Sequence, residues 1–198
     1  DQSVAVTCTD DDIVFLSIAD IAVSEAAGEV QFTVTLSVAS AQTVSVTYES
    51  HDGTARSGSD YVAAGPLTLE IPPFQLAGTI DMQIVADDIY EQDEQFVLEL
   101  TSPVAAELAA ATATATINDD ELIPTLAVAT ATVGESDGSV AVTITLTGRA
   151  EAVVSVNLST VPGTAEAAAD YESHDSVVTW ATTETGDKTV NINIVNDP

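Results

Sequence analysis

Acidic side chains are concentrated in three short stretches of this 198-residue chain. The stretches are Asp10–Asp12, Asp87–Glu94 and Asp119–Glu121. Carboxylates this close in sequence repel one another unless a cation or open water screens them. Calcium binds about six to eight oxygen ligands, whereas zinc prefers His or Cys and magnesium requires a stricter octahedral geometry. The acidic stretches are therefore candidate sites for Ca²⁺.

Several acids recur with a fixed period along the chain. The segment Gly53–Ala55 returns 110 residues later as Gly163–Ala165. The acids that recur are Glu25 with Glu135, Asp60 with Asp170, Asp87 with Asp197 and, at an offset of 109, Asp10 with Asp119. A surface that only keeps a protein soluble needs net charge but no particular positions, so the recurrence favours metal sites over simple solvation.

The period is the length of one small domain, which predicts a tandem array. Residues 1–12 are predicted to be the last strand of a preceding repeat. Residues 13–121 are predicted to be one complete domain, and residues 122–198 a second domain that lacks its last strands. We expect the chain to be a fragment of a longer protein.

The elements that must position the acids are predicted to be β-strands. Val30–Leu36 and Ala111–Ile117 alternate apolar with polar residues, which is the period of a strand with one buried face. Similar short runs recur about every ten residues between Gly, Pro, Asp and Ser turns, a pattern typical of an antiparallel sandwich. The fold class is therefore predicted to be all-β, with the acids in the loops.

The charge balance excludes several classes of partner. Three basic residues stand against 32 acidic ones, for a formal net charge of −29. Such a chain repels nucleic acid and anionic membranes. No run approaches the roughly 20 apolar residues that span a bilayer, so membrane insertion is not expected either.

Three motifs, in their order along the chain, resemble the Calx-beta domain. They are Asp52-Gly53-Thr54-Ala55 with Gly58-Ser59-Asp60-Tyr61, then Asp87–Phe96, then Ile117–Glu121. With the second copy, the resemblance covers nearly the whole chain. It implies tandem seven-stranded, immunoglobulin-like antiparallel β-sandwiches, with calcium ions at one end of each sandwich.

The resemblance also implies which residues bind the metal. In the complete domain the implied ligands are Glu25, Asp60, Asp87, the Ile89 carbonyl, Glu91, Glu94, Asp119 and Asp120. In the second domain they are Glu135, Asp170 and Asp197. Ala86 and Asn118 replace the first aspartates of the acidic loop and of the linker, so one of several ions is expected to be lost or weak.

Three functions are compatible with this pattern. The first is a calcium-stiffened stalk or adhesin-like segment of a larger surface or secreted protein, extracellular and bacterial, in which neighbouring repeats are the partners and a cell-surface ligand is possible. The second is a filament subunit, because an unfinished sandwich invites completion by a strand from another chain. The third is a regulatory calcium sensor, as in the sodium/calcium exchangers of this family.

No motif indicates an enzyme. Ser50, His51 and Asp52 are triad residue types, but neighbours on a strand point to opposite faces and cannot form a proton relay. His51 corresponds to Val161 in the second copy, so it marks no site that both repeats share. We expect a binding module without catalytic residues.

Overall fold

Residues 13–196 are described in the computed structural model of the chain, and they divide into two compact units. The described part of unit 1 contains residues 13–86 and 93–119, and that of unit 2 contains residues 87–92 and 120–196. The predicted strand at residues 1–12 and the candidate ligand Asp197 lie outside the described residues. The predicted domain limits, 13–121 and 122–198, differ from this division mainly at residues 87–92 and stay predictions.

Unit 1 is a β-sandwich with a single three-residue 3-10 helix among its described residues. Its elements are β1 (Phe15–Ser17), β2 (Ile21–Ser24), η1 (Glu25–Ala27), β3 (Glu29–Leu36), β4 (Val44–Asp52), β5 (Leu67–Ile71), β6 (Ala77–Gln83), β7 (Glu94–Val104), β8 (Glu107–Ala110) and β9 (Thr112–Asn118). They form a four-stranded sheet, β6-β3-β1-β8, and a five-stranded sheet, β2-β9-β7-β4-β5.

The all-β sandwich expected from the sequence is confirmed, with more strand segments than the seven that the resemblance implied. The start of the chain is divided between the sheets, because β1 pairs with β3 and β8 whereas β2 pairs with β9. The β1–β8 and β2–β9 pairs are parallel, and the other strand pairs of unit 1 are antiparallel.

The core of unit 1 follows from the alternation in its strands. Along β3 every second side chain is buried, from Val30 to Leu36. Phe32 of one sheet meets Phe96 of the other edge to face, with ring centroids 6.2 Å apart. Tyr61 stacks on Phe96, with ring centroids 4.1 Å apart. Aromatic pairs in these geometries add roughly 0.5 to 1.5 kcal/mol beyond the area they bury.

Unit 2 repeats only part of this sandwich. Its elements are β10 (Thr125–Val128), η2 (Glu135–Asp137), β11 (Ser139–Thr147), β12 (Val154–Ser159), β13 (Asp175–Trp180) and β14 (Gly186–Asn193). They form a three-stranded sheet, β10-β11-β14, and a two-stranded sheet, β12-β13. The buried cluster is correspondingly small and is centred on Trp180, which is fully buried and whose indole N–H donates to the Gly186 carbonyl at 3.0 Å.

Residues 131–134 of unit 2 correspond to β2 but form no strand. Among the described residues of unit 1, β9 is the strand that pairs with β2. No described residue of unit 2 takes the place of β9, so the segment has no ladder to join. The segment thus differs from β2 both in its sequence and in the absence of a pairing strand among the described residues.

Candidate metal centre

Four predicted ligands of unit 1 lie at the same end of its sandwich. Glu25 follows the end of β2, and Asp119 follows the end of β9, whose last residue pairs with the last residue of β2. Glu94 begins β7 opposite Ile117, near the end of β9. Asp60 lies at this end too, because its carbonyl accepts a hydrogen bond from the N–H of Val85, two residues after the end of β6.

Glu25 is the only charged side chain that is buried among residues 13–196, at 6% exposure. It is the first residue of η1, which ends at Gly28 in the left-handed conformation, with φ of 72°. One carboxylate oxygen of Glu25 and one of Asp119 lie within 4.8 Å of each other. A buried carboxylate beside a second carboxylate is an arrangement that a cation stabilises.

A second pair of acids is formed by Asp60 and Glu94, which have carboxylate oxygens within 4.8 Å of each other. Asp60 is held by a tight turn, because its carboxylate accepts from the Arg56 N–H and its own N–H donates to the Arg56 carbonyl. Gly58, with φ of 95°, provides the left-handed residue of this turn. Glu94 is the first residue of β7 and not a loop residue as predicted.

The turn is tied to the core by a contact that the sequence analysis did not identify. The Tyr61 hydroxyl donates to the Asp52 carboxylate at 2.7 Å, and the Ser57 N–H donates to the same oxygen at 2.9 Å. Both bonds lower the pKa of Asp52, and the bond from Tyr61 has the larger effect. Burial, and then the bond to Asp52, raises the pKa of Tyr61 to about 12. Asp52 and Tyr61 both belong to the first Calx-beta motif, but the sequence did not predict the contact between them.

The acidic segment 87–92 belongs to unit 2, together with Asp120. The Asp87 carboxylate accepts from the Ile89 N–H at 2.7 Å. Arg149 pairs with Asp88 at 2.8 Å, and the Tyr90 N–H donates to the Arg149 carbonyl. Glu91 is partly exposed and Asp120 is exposed. The acid that pairs with Arg149 is therefore Asp88, which is not one of the predicted ligands.

Unit 2 reproduces the turn geometry around its own candidate acids. The Asp170 carboxylate accepts from the Glu166 N–H at 2.7 Å, and its carbonyl accepts from the Val195 N–H at 2.9 Å, the same bonds that Asp60 makes. Glu135 begins η2, as Glu25 begins η1. Glu135 and Asp170 line one open cleft of about 560 Å³, and Glu135, unlike Glu25, is exposed.

The two units differ in what surrounds the tyrosine of the turn. Pro162 occupies the position of Asp52, and the Tyr171 hydroxyl is buried with no hydrogen-bond partner among the described residues. No ring in the described part of unit 2 corresponds to Phe96, so Tyr171 lines the cleft. The aligned acids are therefore better enclosed in unit 1 than in unit 2.

Among residues 13–196, no helix has the length and apolar character needed to cross a membrane.

Curated relatives of the chain include ion exchangers. It is 29% identical over 181 residues to sodium/calcium exchanger 3 of Mus musculus, a match that covers 79% of this chain and 19% of the exchanger. It is 30% identical over 177 residues to sodium/calcium exchanger 1 of Canis lupus familiaris, with 78% and 18% covered. The chain therefore spans less than a fifth of the length of these relatives.

Solved structures match the chain over one or both units. The CBD12 structure from CALX1.2 has a TM-score of 0.52 at 25% identity and covers 93% of this chain and 76% of its own. The structure described as the calcium binding domain CBD12 of CALX1.1 has a TM-score of 0.50 at 25% identity, with the same coverage. The apo-form Calx CBD1 domain has a TM-score of 0.51 at 29% identity and covers 56% and 100%.

The sequence model of the Calx-beta domain matches residues 8–121 and again residues 118–198. These two matches agree with the 110-residue repeat and with the turn geometry that both units share. The chain is a tandem pair from the Calx-beta domain family.

Proposed function

We propose that the chain is a calcium-binding regulatory segment of a larger protein. In this proposal Glu25, Asp60, Glu94 and Asp119 hold Ca²⁺ at one end of unit 1. The observation that carries the proposal is the buried Glu25 carboxylate beside that of Asp119, at the end of the sandwich where Asp60 and Glu94 also converge.

The donor set fits calcium better than other common ions. All four side chains are carboxylates, and oxygen-only coordination with mixed geometry is what Ca²⁺ accepts. Zinc would require His or Cys donors, which are not among these four residues. Two of the acids are fixed by rigid elements, because Glu25 begins η1 and Glu94 begins β7. Donors held by helices or strands lose less freedom than loop donors when the ion binds.

The remaining ligands of the first domain stay predictions from the resemblance. They are Asp87, the Ile89 carbonyl, Glu91 and Asp120. Ala86 and Asn118 remove two carboxylates that the family pattern would add, so we expect fewer ions than in a member with both aspartates. In the second domain Glu135, Asp170 and Asp197 likewise stay predictions, and Asp197 lies outside the described residues.

Regulation by calcium has better support than a mechanical role. The curated relatives that match more than three quarters of the chain are sodium/calcium exchangers, and one matching structure is described as a calcium binding domain. The stalk, the filament, the cell-surface ligand and the extracellular bacterial location have no comparable support and stay predictions. The absence of enzyme activity is likewise a prediction.

The test is isothermal titration of the full 198-residue chain with Ca²⁺, together with a melting curve in chelator and in millimolar Ca²⁺. We expect a saturable heat and a higher melting temperature. A site of roughly 10 μM affinity would add about 2 to 3 kcal/mol at millimolar Ca²⁺, because the ion binds only the folded state. Glu25→Gln and Asp60→Asn should each weaken binding.

Glu70→Gln is the matched control, because Glu70 is an exposed acid in β5 and the change in charge is the same. This variant should bind Ca²⁺ as the unchanged chain does. The proposal fails if no heat is released, or if Glu25→Gln and Glu70→Gln reduce binding equally. Equal loss would mean that calcium only screens the net negative charge.

A further inference from the structure

A second group of metal-ligating side chains lies on the outer face of the five-stranded sheet of unit 1. Glu49 and His51 are two residues apart on β4, so their side chains share a face. Glu99 of β7 is directly opposite Glu49 in the antiparallel register. One ligand atom from each of the three residues lies within 4.8 Å of the others. None of these residues belongs to the candidate calcium site.

The distances within this group match the spacing of ligands around a metal ion. The His51 Nε2 atom is 3.1 Å from a Glu99 carboxylate oxygen and 3.5 Å from a Glu49 carboxylate oxygen. A tetrahedral ion with bonds of about 2.0 to 2.2 Å places neighbouring ligand atoms roughly 3.3 to 3.6 Å apart. Small side-chain adjustments would therefore suffice for all three atoms to reach one ion.

The electrostatics of the group also favour a divalent cation. Two carboxylates placed directly opposite each other on neighbouring strands destabilise a sheet. The imidazole Nε2 faces both carboxylates but carries at most one hydrogen, so it can donate to only one of them at a time. Arg56, Arg149 and Lys188 are the only basic residues of the chain, and none of them forms an ion pair with Glu49 or Glu99 among the described residues. A doubly charged ion would neutralise both acids.

The type of donor distinguishes this group from the calcium site. An imidazole nitrogen with two carboxylates suits a borderline ion such as Zn²⁺, whereas Ca²⁺ and Mg²⁺ prefer all-oxygen sets. The three side chains are 37 to 48% exposed, so the ion can enter and a water molecule can complete its coordination. Central strands of a sheet hold the donors in place.

We infer that Glu49, His51 and Glu99 form a surface site for a divalent transition-metal ion of the zinc class, separate from the calcium site. The site is specific to unit 1, because Val161 stands at the position of His51 in the second repeat.

The test is titration of the full chain with Zn²⁺ in the presence of millimolar Ca²⁺, which occupies the oxygen-only sites. Binding should be saturable, and the imidazole nitrogen resonances of His51 should shift in ¹H–¹⁵N NMR spectra. His51→Gln and Glu99→Gln should each weaken Zn²⁺ binding by on the order of tenfold or more, since even groups that only orient a metal ligand contribute that much.

His174→Gln is the matched control, because the His174 Nε2 atom contacts the Ser176 hydroxyl at 2.9 Å and the same residue type is removed. It should leave Zn²⁺ binding unchanged. Far-UV circular dichroism and the calcium heat verify that the variants are folded. The inference is overturned if Zn²⁺ does not bind, if His51→Gln binds it normally, or if the His174 resonances shift in place of those of His51.

Discussion

At the scale of single residues, the pair Asp52 and Tyr61 distinguishes the two units. In unit 1 the Tyr61 ring is fully buried against Phe96, and its hydroxyl is satisfied by the Asp52 carboxylate. In unit 2 Pro162 removes the acceptor, and the Tyr171 hydroxyl has no partner among the described residues. The bond that ties the turn to the core in unit 1 therefore has no counterpart among the described residues of unit 2.

The raised pKa of Tyr61 predicts a loss of stability in alkali. An unfolded tyrosine loses its proton near pH 10, whereas Tyr61 retains it to about pH 12. Between these values the unfolded state binds fewer protons, so the free energy of unfolding of unit 1 should fall by up to about 1.4 kcal/mol per pH unit. Urea unfolding followed by far-UV circular dichroism between about pH 9.5 and 11.5 measures this slope.

Two variants separate the causes of this slope. Tyr61→Phe should remove the contribution of Tyr61 and leave only that of the other titrating groups. Asp52→Asn should lower the pKa of Tyr61 without returning it to the ordinary value, because burial is the larger cause. A slope that is the same in Tyr61→Phe and in the unchanged chain would contradict the assignment.

At the scale of elements, the sequence predicted which residues form strands but not which strands pair with each other. The alternation of Val30–Leu36 predicted β3 and its buried face, and both are confirmed. Register between strands is not readable from alternation, because it is set where distant segments meet. The pairing of Glu49 with Glu99 was therefore not predicted, and neither was the face that Glu49 shares with His51 on β4.

Gly53 shows why a motif residue can be required by a distant strand. A Cβ atom at this position would lie 2.3 Å from the Gln95 carbonyl oxygen of β7. The neighbouring Ala55 N–H donates to the same carbonyl at 2.9 Å. At Gly163, the equivalent position, a Cβ atom would meet nothing within 4 Å. The glycine is thus required sterically only where a β7 strand is in place.

This contrast gives a matched pair of substitutions. Gly53→Ala should destabilise unit 1 by about 1 to 3 kcal/mol, because backbone must shift to admit the methyl group. Gly163→Ala should change the stability of unit 2 by less than about 0.5 kcal/mol. Far-UV circular dichroism measures both units in urea, and the fluorescence of Trp180, the only tryptophan, measures unit 2 alone.

The readouts also define what would contradict this prediction. If Gly53→Ala and Gly163→Ala had equal effects, the close approach of Gly53 to Gln95 would not limit stability. A loss confined to the Trp180 signal in Gly53→Ala would likewise exclude the proposed cause, because Trp180 lies in unit 2.

At the scale of the whole molecule, the repeat explains what the two units share, and the described strands explain how they differ. Both units keep the turn of Asp60 and of Asp170, with the same hydrogen bonds. Within residues 13–196, the buried cluster of unit 2 has four residues, whereas that of unit 1 has twenty. The repeat predicted equivalent positions correctly, but burial depends on strands that the second repeat lacks within the described residues.

The charge of the whole chain predicts its response to salt. With 32 acidic and three basic residues, repulsion between like charges outweighs attraction. The screening length falls from about 30 Å at 0.01 M salt to about 10 Å at 0.1 M, so added NaCl should raise the melting temperature by several degrees in chelator. Millimolar Ca²⁺ should raise it further than NaCl of the same ionic strength, because screening is non-specific and ligand binding is not.

Two outcomes would contradict this prediction. A melting temperature that is flat or falls with NaCl would mean that surface repulsion does not limit stability. Equal shifts of the melting temperature with the two salts would mean that calcium acts only by screening charge.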